Sequence, residues 1–325
     1  MSTPANAPGR APMFERVALI GIGLIGSSIS HAMRRGNLAR TIVGHAKSQA
    51  TRDTALRLGL VASAHATAAE AAKGADLVIL CVPVGACGAI AAEIAPHLAK
   101  GAIVTDVGSV KGAIVRDVGP HLPEHVHFVP GHPIAGTEYS GPESGFASLF
   151  DNRWCVLTPP PGTDASATAK LKALWEAMGS NVEVMTPEHH DMVLAITSHV
   201  PHLIAFNIVN TAAHLERVTD SEVIKFSAGG FRDFTRIAAS DPTMWRDVFL
   251  NNKEAVLEML GRFTEDLVHL QRAIRYGEAD TLFRLFGEAR EIRKGVIQAG
   301  QDTAAPNFGR EAGASEPGPL DSKAR

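Results

Sequence analysis

The chain has 325 residues, 45% hydrophobic and 20% charged, enough for about two domains of roughly 150 residues each. A net charge of −3 without a Lys/Arg run argues against nucleic acid or an anionic membrane surface as a partner. Three cysteines with no CxxC pair, Cys81, Cys87 and Cys155, read as reduced thiols of a cytoplasmic protein.

Residues 1–15 are polar and rich in Pro, Ala and Gly, a composition expected of a disordered tail with no signal segment. Residues 16–21, RVALIG, read as a buried strand that runs into Gly21-Ile22-Gly23-Leu24-Ile25-Gly26 and a helix to about Arg35. A second strand follows at 41–44. Strand, GxGxxG, helix and strand within about 30 residues form the dinucleotide-binding fingerprint in its required context. Gly21 permits the tight turn, Gly23 lets backbone approach a pyrophosphate, and Gly26 lets the helix pack on the strand. Leu24 and Ile25 open the helix whose free N–H groups face the phosphates. The carboxylate expected at the end of the second strand is missing from Gly44-His45-Ala46-Lys47-Ser48. Lys47, Ser48 and Arg52 are there instead, so the choice between NAD and NADP stays open.

Helices over 48–58, 67–73, 85–100 and 110–118 alternate with strands over 76–82, 102–106 and 126–129. Strands over 154–158 and 181–185 flank a helix at 165–178. The run at 76–82 is continuously apolar, as parallel strands covered on both faces are. No run reaches the ~18 apolar residues of a membrane span, and the richest window, 77–95, is broken by Pro83, Gly85, Gly88 and Glu93. From Thr186 onward the pattern is helical. Thr186 reads as an N-cap, Pro187 as the first helical residue, and Pro201 as a kink. Further helical spacing covers 203–218, 221–227, 243–277 and 279–299. The fold expected is α/β: a Rossmann-type, doubly wound, mostly parallel sheet over 16–185, then an all-helical domain over 186–300 that pairs as a homodimer. Residues 301–325 are expected as a second disordered tail.

Four constellations stand apart from the periodic background: DVGSVK at 106–111, GHPIAGTE at 131–138, SHVPH at 198–202, and GGFRDFTRIAASDPTMW at 229–245. Pro83, Ser109 and His132 each follow a strand, so all three are expected to line the crevice at the strands' carboxyl ends. His132, on a Gly/Pro-rich loop, reads either as a base titrating near neutral pH or as a loop histidine bonded to backbone. Ser109 reads first as a helix N-cap, a role compatible with a hydroxyl offered to substrate. Arg236 and Arg232 are candidates for gripping a carboxylate, Arg232 reading more readily as surface charge. His199 and His202 lie beside Pro201 with no ligand-spaced Cys or carboxylate, so no metal is expected. His189 and His190 read as solvated at a helix start.

Taken in order, these motifs resemble the prephenate/arogenate dehydrogenase family of tyrosine biosynthesis, from about residue 16 to about 300. The resemblance implies NAD(P)-dependent oxidative decarboxylation of prephenate, arogenate or both, to 4-hydroxyphenylpyruvate or tyrosine. It implies His132 as the catalytic histidine and Ser109 as the serine bridging it to substrate and nicotinamide. His202 matches a substrate-pocket histidine and Arg236 the arginine on a substrate carboxylate. Glu138, Asp233 and Trp245 match residues that close the pocket, the Trp across the dimer. Tyr139 stands where many members have Lys, which alters the pocket rim. Neither terminus offers the length of a regulatory or mutase domain. Two rival readings are a β-hydroxyacid-type dehydrogenase, which uses a helix lysine that residues 186–206 lack, and a non-catalytic dinucleotide-binding module.

Overall fold

The computed structural model describes residues 11–137, 139–216 and 227–298. The tail expectations for 1–10 and 301–325, Glu138, and most of the helix expected over 221–227 lie outside the described residues.

The first half alternates strand and helix. In order come β1 (Phe14–Ile20), α1 (Leu24–Arg35), β2 (Ala39–His45), α2 (Gln49–Arg57), β3 (Ser63–His65), α3 (Ala68–Ala72), β4 (Leu77–Leu80), α4 (Cys87–Ile94), β5 (Ile103–Asp106), α5 (Lys111–Val118) and β6 (His127–Phe128). The six strands form one parallel sheet in the order β3-β2-β1-β4-β5-β6. Strand periodicity explains why it is covered on both faces. Val17, Leu19, Leu77, Ile79 and Ile103 join α1 and the later Trp175 in one core. Ala18, Ile20, Val78, Leu80 and Val104 join α3, α4 and α5 in the other. Strand order reverses between β1 and β4, and such a switch point opens a crevice at the strands' carboxyl ends. β1 starts at Phe14, inside the stretch expected as tail, because Phe14 is a fully buried core residue.

A second sheet was not anticipated. β7 (Gly131–Pro133), β8 (Trp154–Leu157) and β9 (Asn181–Val184), with α6 (Ala165–Ala177) between the last two, pair in the order β7-β8-β9. His132 therefore sits on a strand, opposite Val156 in an antiparallel pair, rather than on a free loop.

Thr186 caps α7 (Pro187–Leu194), accepting from the His189 N–H at 3.2 Å. A π turn, Ala195–His199, links α7 to α8 (Val200–Glu216). Pro201 lies in the first turn of α8 and has no N–H to return to residue 197, so the irregularity falls just before it. α9 (Gly229–Thr235), a 3₁₀ turn at Arg236–Ala239, α10 (Pro242–Asn251), α11 (Lys253–Tyr276) and α12 (Ala279–Gln298) complete the described chain. The stretch expected as one helix over 243–277 breaks at Asn252, whose backbone leaves the helical region at φ −110°, ψ 34°.

The chain divides into two compact units within α11, one ending at Gly261 and the other beginning at Arg262. The second unit exposes Leu267, Val268, Ile274, Phe283, Phe286 and Ile292. One helical run, Pro187–His214, is long and apolar enough to cross a membrane by length and composition, with a mean hydropathy of 1.6. Scanning for unbroken apolar residues overlooks it, because Glu188, Asp191, histidines, Ser, Thr and Asn interrupt it. It buries His190 and His199 completely.

Candidate active site

The cofactor end is built as the glycine spacing requires. Gly21 has φ +104°, and a Cβ there would collide with the Cys81 carbonyl. A Cβ on Gly26 would strike the Gly21 carbonyl, whereas one on Gly23 would meet nothing within 4 Å. Two glycines thus serve packing, and the third leaves space at the N-terminus of α1, where N–H groups point outward. Leu24 and Ile25 begin α1 half-buried, and Pro83 stands exposed just past β4. This cradle fits a dinucleotide pyrophosphate. At the end of β2, His45 aligns with Ile20, and its carbonyl accepts from the Gly21 N–H at 2.9 Å. Its Nδ1 donates to the His65 carbonyl at 3.1 Å, which leaves Nε2 as an acceptor. Ser48 caps α2. Arg52 is folded onto the carbonyls of Ala46 and Lys47, at 2.6 and 2.9 Å.

Past β5, a buried ion pair fixes the DVGSVK turn. Asp106 and Lys111 are both fully buried and in contact. Lys111 Nζ also donates to the Gly131 carbonyl at 2.6 Å. The Asp106 carboxylate accepts from Gly108 N–H at 2.7 Å and Gly131 N–H at 3.2 Å. Both backbone groups of Gly131 are therefore held by this pair, one residue before His132. Burial pushes the Asp106 carboxyl up, and Lys111 and the two amides pull it back.

His132 is 6% exposed, and its Nδ1 lies 2.8 Å from His190 Nε2. His190 is wholly buried, and its Nδ1 lies 2.8 Å from Asp191 Oδ1. Proton bookkeeping follows from the inventory of donors. A carboxylate only accepts, so His190 carries its proton on Nδ1. Its Nε2 then accepts from His132 Nδ1–H, leaving His132 Nε2 as the free base. Asp191 is held in turn by the first helical amides of α5, Lys111 N–H at 2.7 Å and Gly112 N–H at 2.8 Å. This corrects two expectations. His190 is not solvated, although His189 is exposed. Ser109 does not cap α5: the N-cap is Val110 with no side-chain bond, and Asp191, eighty residues away, supplies the acceptor.

The π turn sets the rest of the cleft. In a regular helix the nine residues from His190 to His199 would turn about 900°, placing them on opposite faces. One extra residue in the turn takes up about 100° of that, and both rings end up buried. Asn252 Nδ2 bonds the Asp191 carbonyl at 2.9 Å and His199 Nδ1 at 3.1 Å. The Ser109 backbone lies against the same ring. His202 Nδ1 donates to the Ser198 carbonyl at 2.8 Å, and its ring stacks on Trp245 at 3.7 Å between centroids. Trp245 thus lies on the site histidine of its own chain, and its buried indole N–H has no partner among the described residues. Arg236, exposed in its 3₁₀ turn, is near enough to depress His202. Asp233 is exposed and faces Arg232 at 3.7 Å. Among the described residues no group of three or more His, Cys, Asp or Glu is placed to hold a metal.

Burial is the largest cause lowering His132, His190, His199 and His202, with His199 lowered to about 4. Unfolded, each binds a proton near its ordinary value of about 6.5. Below that value the unfolded chain holds more protons, so stability is complete above about 6.5 and falls as pH drops toward about 4. Thermal melts across pH 8 to 4 are expected to show the loss beginning near 6.5. Melting temperatures that stay level down to pH 5 would contradict the buried neutral state.

A switch-point crevice, a pyrophosphate cradle past β1 and a buried, hydrogen-bonded histidine one residue after Gly131, which packs against the carboxyl end of β5, define a nicotinamide-dinucleotide oxidoreductase. Residues 29–184 match the family model "Prephenate dehydrogenase, nucleotide-binding domain", and residues 186–288 match "Prephenate dehydrogenase, dimerization domain". The cyclohexadienyl dehydrogenase of Zymomonas mobilis is 42% identical over 86% of this chain and 96% of its own length. The prephenate dehydrogenase of Bacillus subtilis is 35% identical over 91% of this chain and 80% of its own. The crystal structure of prephenate dehydrogenase from Aquifex aeolicus, in complex with hydroxyphenyl propionate and NAD+, superposes with a TM-score of 0.82 at 36% identity, covering 87% of this chain and 98% of that one. The chain belongs to the prephenate dehydrogenase family.

Proposed function

We propose that this chain carries out the oxidative decarboxylation of the cyclohexadienyl substrates prephenate and arogenate, the step that forms the aromatic ring of tyrosine. The observation that carries the reading is His132, whose Nδ1–H is committed to His190 and whose Nε2 is left as a base, one residue past the Gly131 that packs against the carboxyl end of β5. The bound nicotinamide supplies the hydride acceptor. His132 takes the proton of the ring hydroxyl as the carbinol becomes a ketone. Loss of the ring carboxylate as CO₂ then makes the ring aromatic, and the proton returns to the phenolate oxygen. Ser109 orients the hydroxyl against His132. His202 and Arg236 grip the substrate, Trp245 closes over it, and Glu138 and Asp233 belong to the rim. Gly21, Gly23, Leu24, Ile25, Gly26 and Pro83 hold the cofactor.

NAD is the cofactor we assign. His45 Nε2 offers an acceptor to a ribose hydroxyl, while Ser48 and Arg52 are engaged locally. The Aquifex relative holds NAD+. We place the division between a cofactor domain, 16–185, and a helical pairing domain, 186–300, where the two family matches meet. The apolar residues exposed on the second unit support a homodimer through it, and the reading is that of a cytoplasmic biosynthetic enzyme.

The test is absorbance at 340 nm in a two-by-two matrix of prephenate and arogenate against NAD and NADP. Reduction of NAD with at least one substrate is expected, and none with either would overturn the reading. In the same assay Arg236→Ala is expected to raise KM about tenfold or more with kcat little changed, because the carboxylate it binds is present before the chemistry. A normal KM with collapsed kcat would move Arg236 into the chemical step.

A further inference from the structure

We infer that His190 and Asp191 form a proton-sharing relay behind His132, so that the charge created when His132 takes a proton spreads along three side chains. The inference rests on His132 being the base. Three observations support it. The contacts are in series and short, Asp191 to His190 at 2.8 Å and His190 to His132 at 2.8 Å. His190 is wholly buried, at the second position of an exposed–buried histidine pair, so its ring has no solvent role. The Asp191 carboxylate is fixed by two main-chain amides at the start of α5, where the positive end of a helix favours an anion.

The step balances without any other reactant. The substrate O–H bond breaks and an N–H bond forms at His132 Nε2. The proton on His132 Nδ1 moves toward His190 Nε2, and the His190 Nδ1–H is drawn toward Asp191. On aromatisation the same movements reverse and the proton returns to the phenolate. His190 acts through His132 and is a positioning residue. The charged and titratable groups facing the two rings are Asp191 on α7, Lys111 on α5, Asp106 at the end of β5 and His199 on the π turn. The Cys155 thiol of β8 lies beside the His132 backbone, pushed up by burial. Lys111 and His199 oppose a positive charge on His132, which is why a shared proton needs Asp191.

His190→Gln separates sharing from orientation. The amide oxygen can accept from His132 Nδ1–H and the amide N–H can donate to Asp191, but Gln cannot take a proton. Full-length His190→Gln, Asp191→Asn and His132→Asn are compared with wild type, using prephenate and NAD, for kcat, KM and the pH profile of kcat/KM. His190→Gln is expected to keep KM within about twofold, lower kcat about tenfold or more, and move the acid limb about one unit lower, because the protonated base has lost its second site. Asp191→Asn is expected to move the limb the same way, so either variant suffices if the other does not fold. A lowered kcat with an unmoved limb overturns sharing and leaves only orientation. Wild-type kcat and limb in His190→Gln overturn the relay altogether. Normal turnover in His132→Asn removes the proposed function itself, whereas an inactive His132→Asn beside an unaffected His190→Gln removes the relay alone.

Discussion

Replacing His132 by Asn is expected to lower kcat by at least about a hundredfold and leave KM within a few-fold, the signature of a lost general base. Asn is small enough for the buried site on β7 and can still donate to His190, but it cannot accept a proton at the position of Nε2. The pH dependence of the wild type gives the complementary sign. Burial, reinforced by His190, Lys111 and His199, holds His132 well below its ordinary value. The base works unprotonated, so activity is complete above that lowered value and disappears as pH falls through it, on the acid side of about 6.5. Steady-state kinetics at pH 7.5 and a profile of kcat/KM from pH 8 to 4.5 read both effects. Unchanged turnover in His132→Asn would end the assignment, and an acid limb above 7 would contradict the buried neutral imidazole.

Lys111→Met is expected to cost about 3–5 kcal/mol, more than any surface substitution, because it strands a carboxylate in the core. Asp106 is fully buried at the carboxyl end of a central strand, and two amides alone would be left to balance its charge. The Gly131 carbonyl would lose its Nζ donor as well. At roughly 2–4 °C per kcal/mol for a unit of this size, melting should fall by about 10 °C. Adding Asp106→Asn is expected to recover part of the loss, since an amide removes the stranded charge and its one oxygen keeps an acceptor for the Gly108 N–H. Calorimetry or circular-dichroism melts of the single and double variants decide the matter. A single variant melting within about 2 °C of wild type would show that the pair is not the staple described.

The Rossmann half was legible because its physics is local. A parallel strand covered on both faces must be apolar throughout, and β4 is; GIGLIG must have glycine at three positions, and the collisions at Gly21 and Gly26 show why. The cap at Thr186 and Pro187 was equally local. The small sheet was hidden because β7 is three residues long and contains a proline, too short for any periodicity. His189 and His190 are adjacent and chemically alike, and only the rotation of α7 against α5 decides which is buried. The π turn displaces the helical phase by one residue, so spacing counted on a regular helix misplaces His199. Asn252 carried no signal inside what reads as one long helix. Lys111 lay in a motif singled out for Ser109, yet nothing local says that a lysine there is wholly buried.

The series Asp191, His190, His132 also bears on how closed this cleft is permitted to be. Oxidation alone would liberate a proton at every turnover, and a buried base would need a route to deliver it to water. In the proposed reaction the departing CO₂ leaves its electrons in the ring, and the phenolate reclaims the proton that the hydroxyl gave up. The account is neutral over a cycle. Two imidazoles and a carboxylate buried where α7 meets α5 and β7 need hold that proton only for the lifetime of the ketone, so the site requires a reservoir rather than an exit.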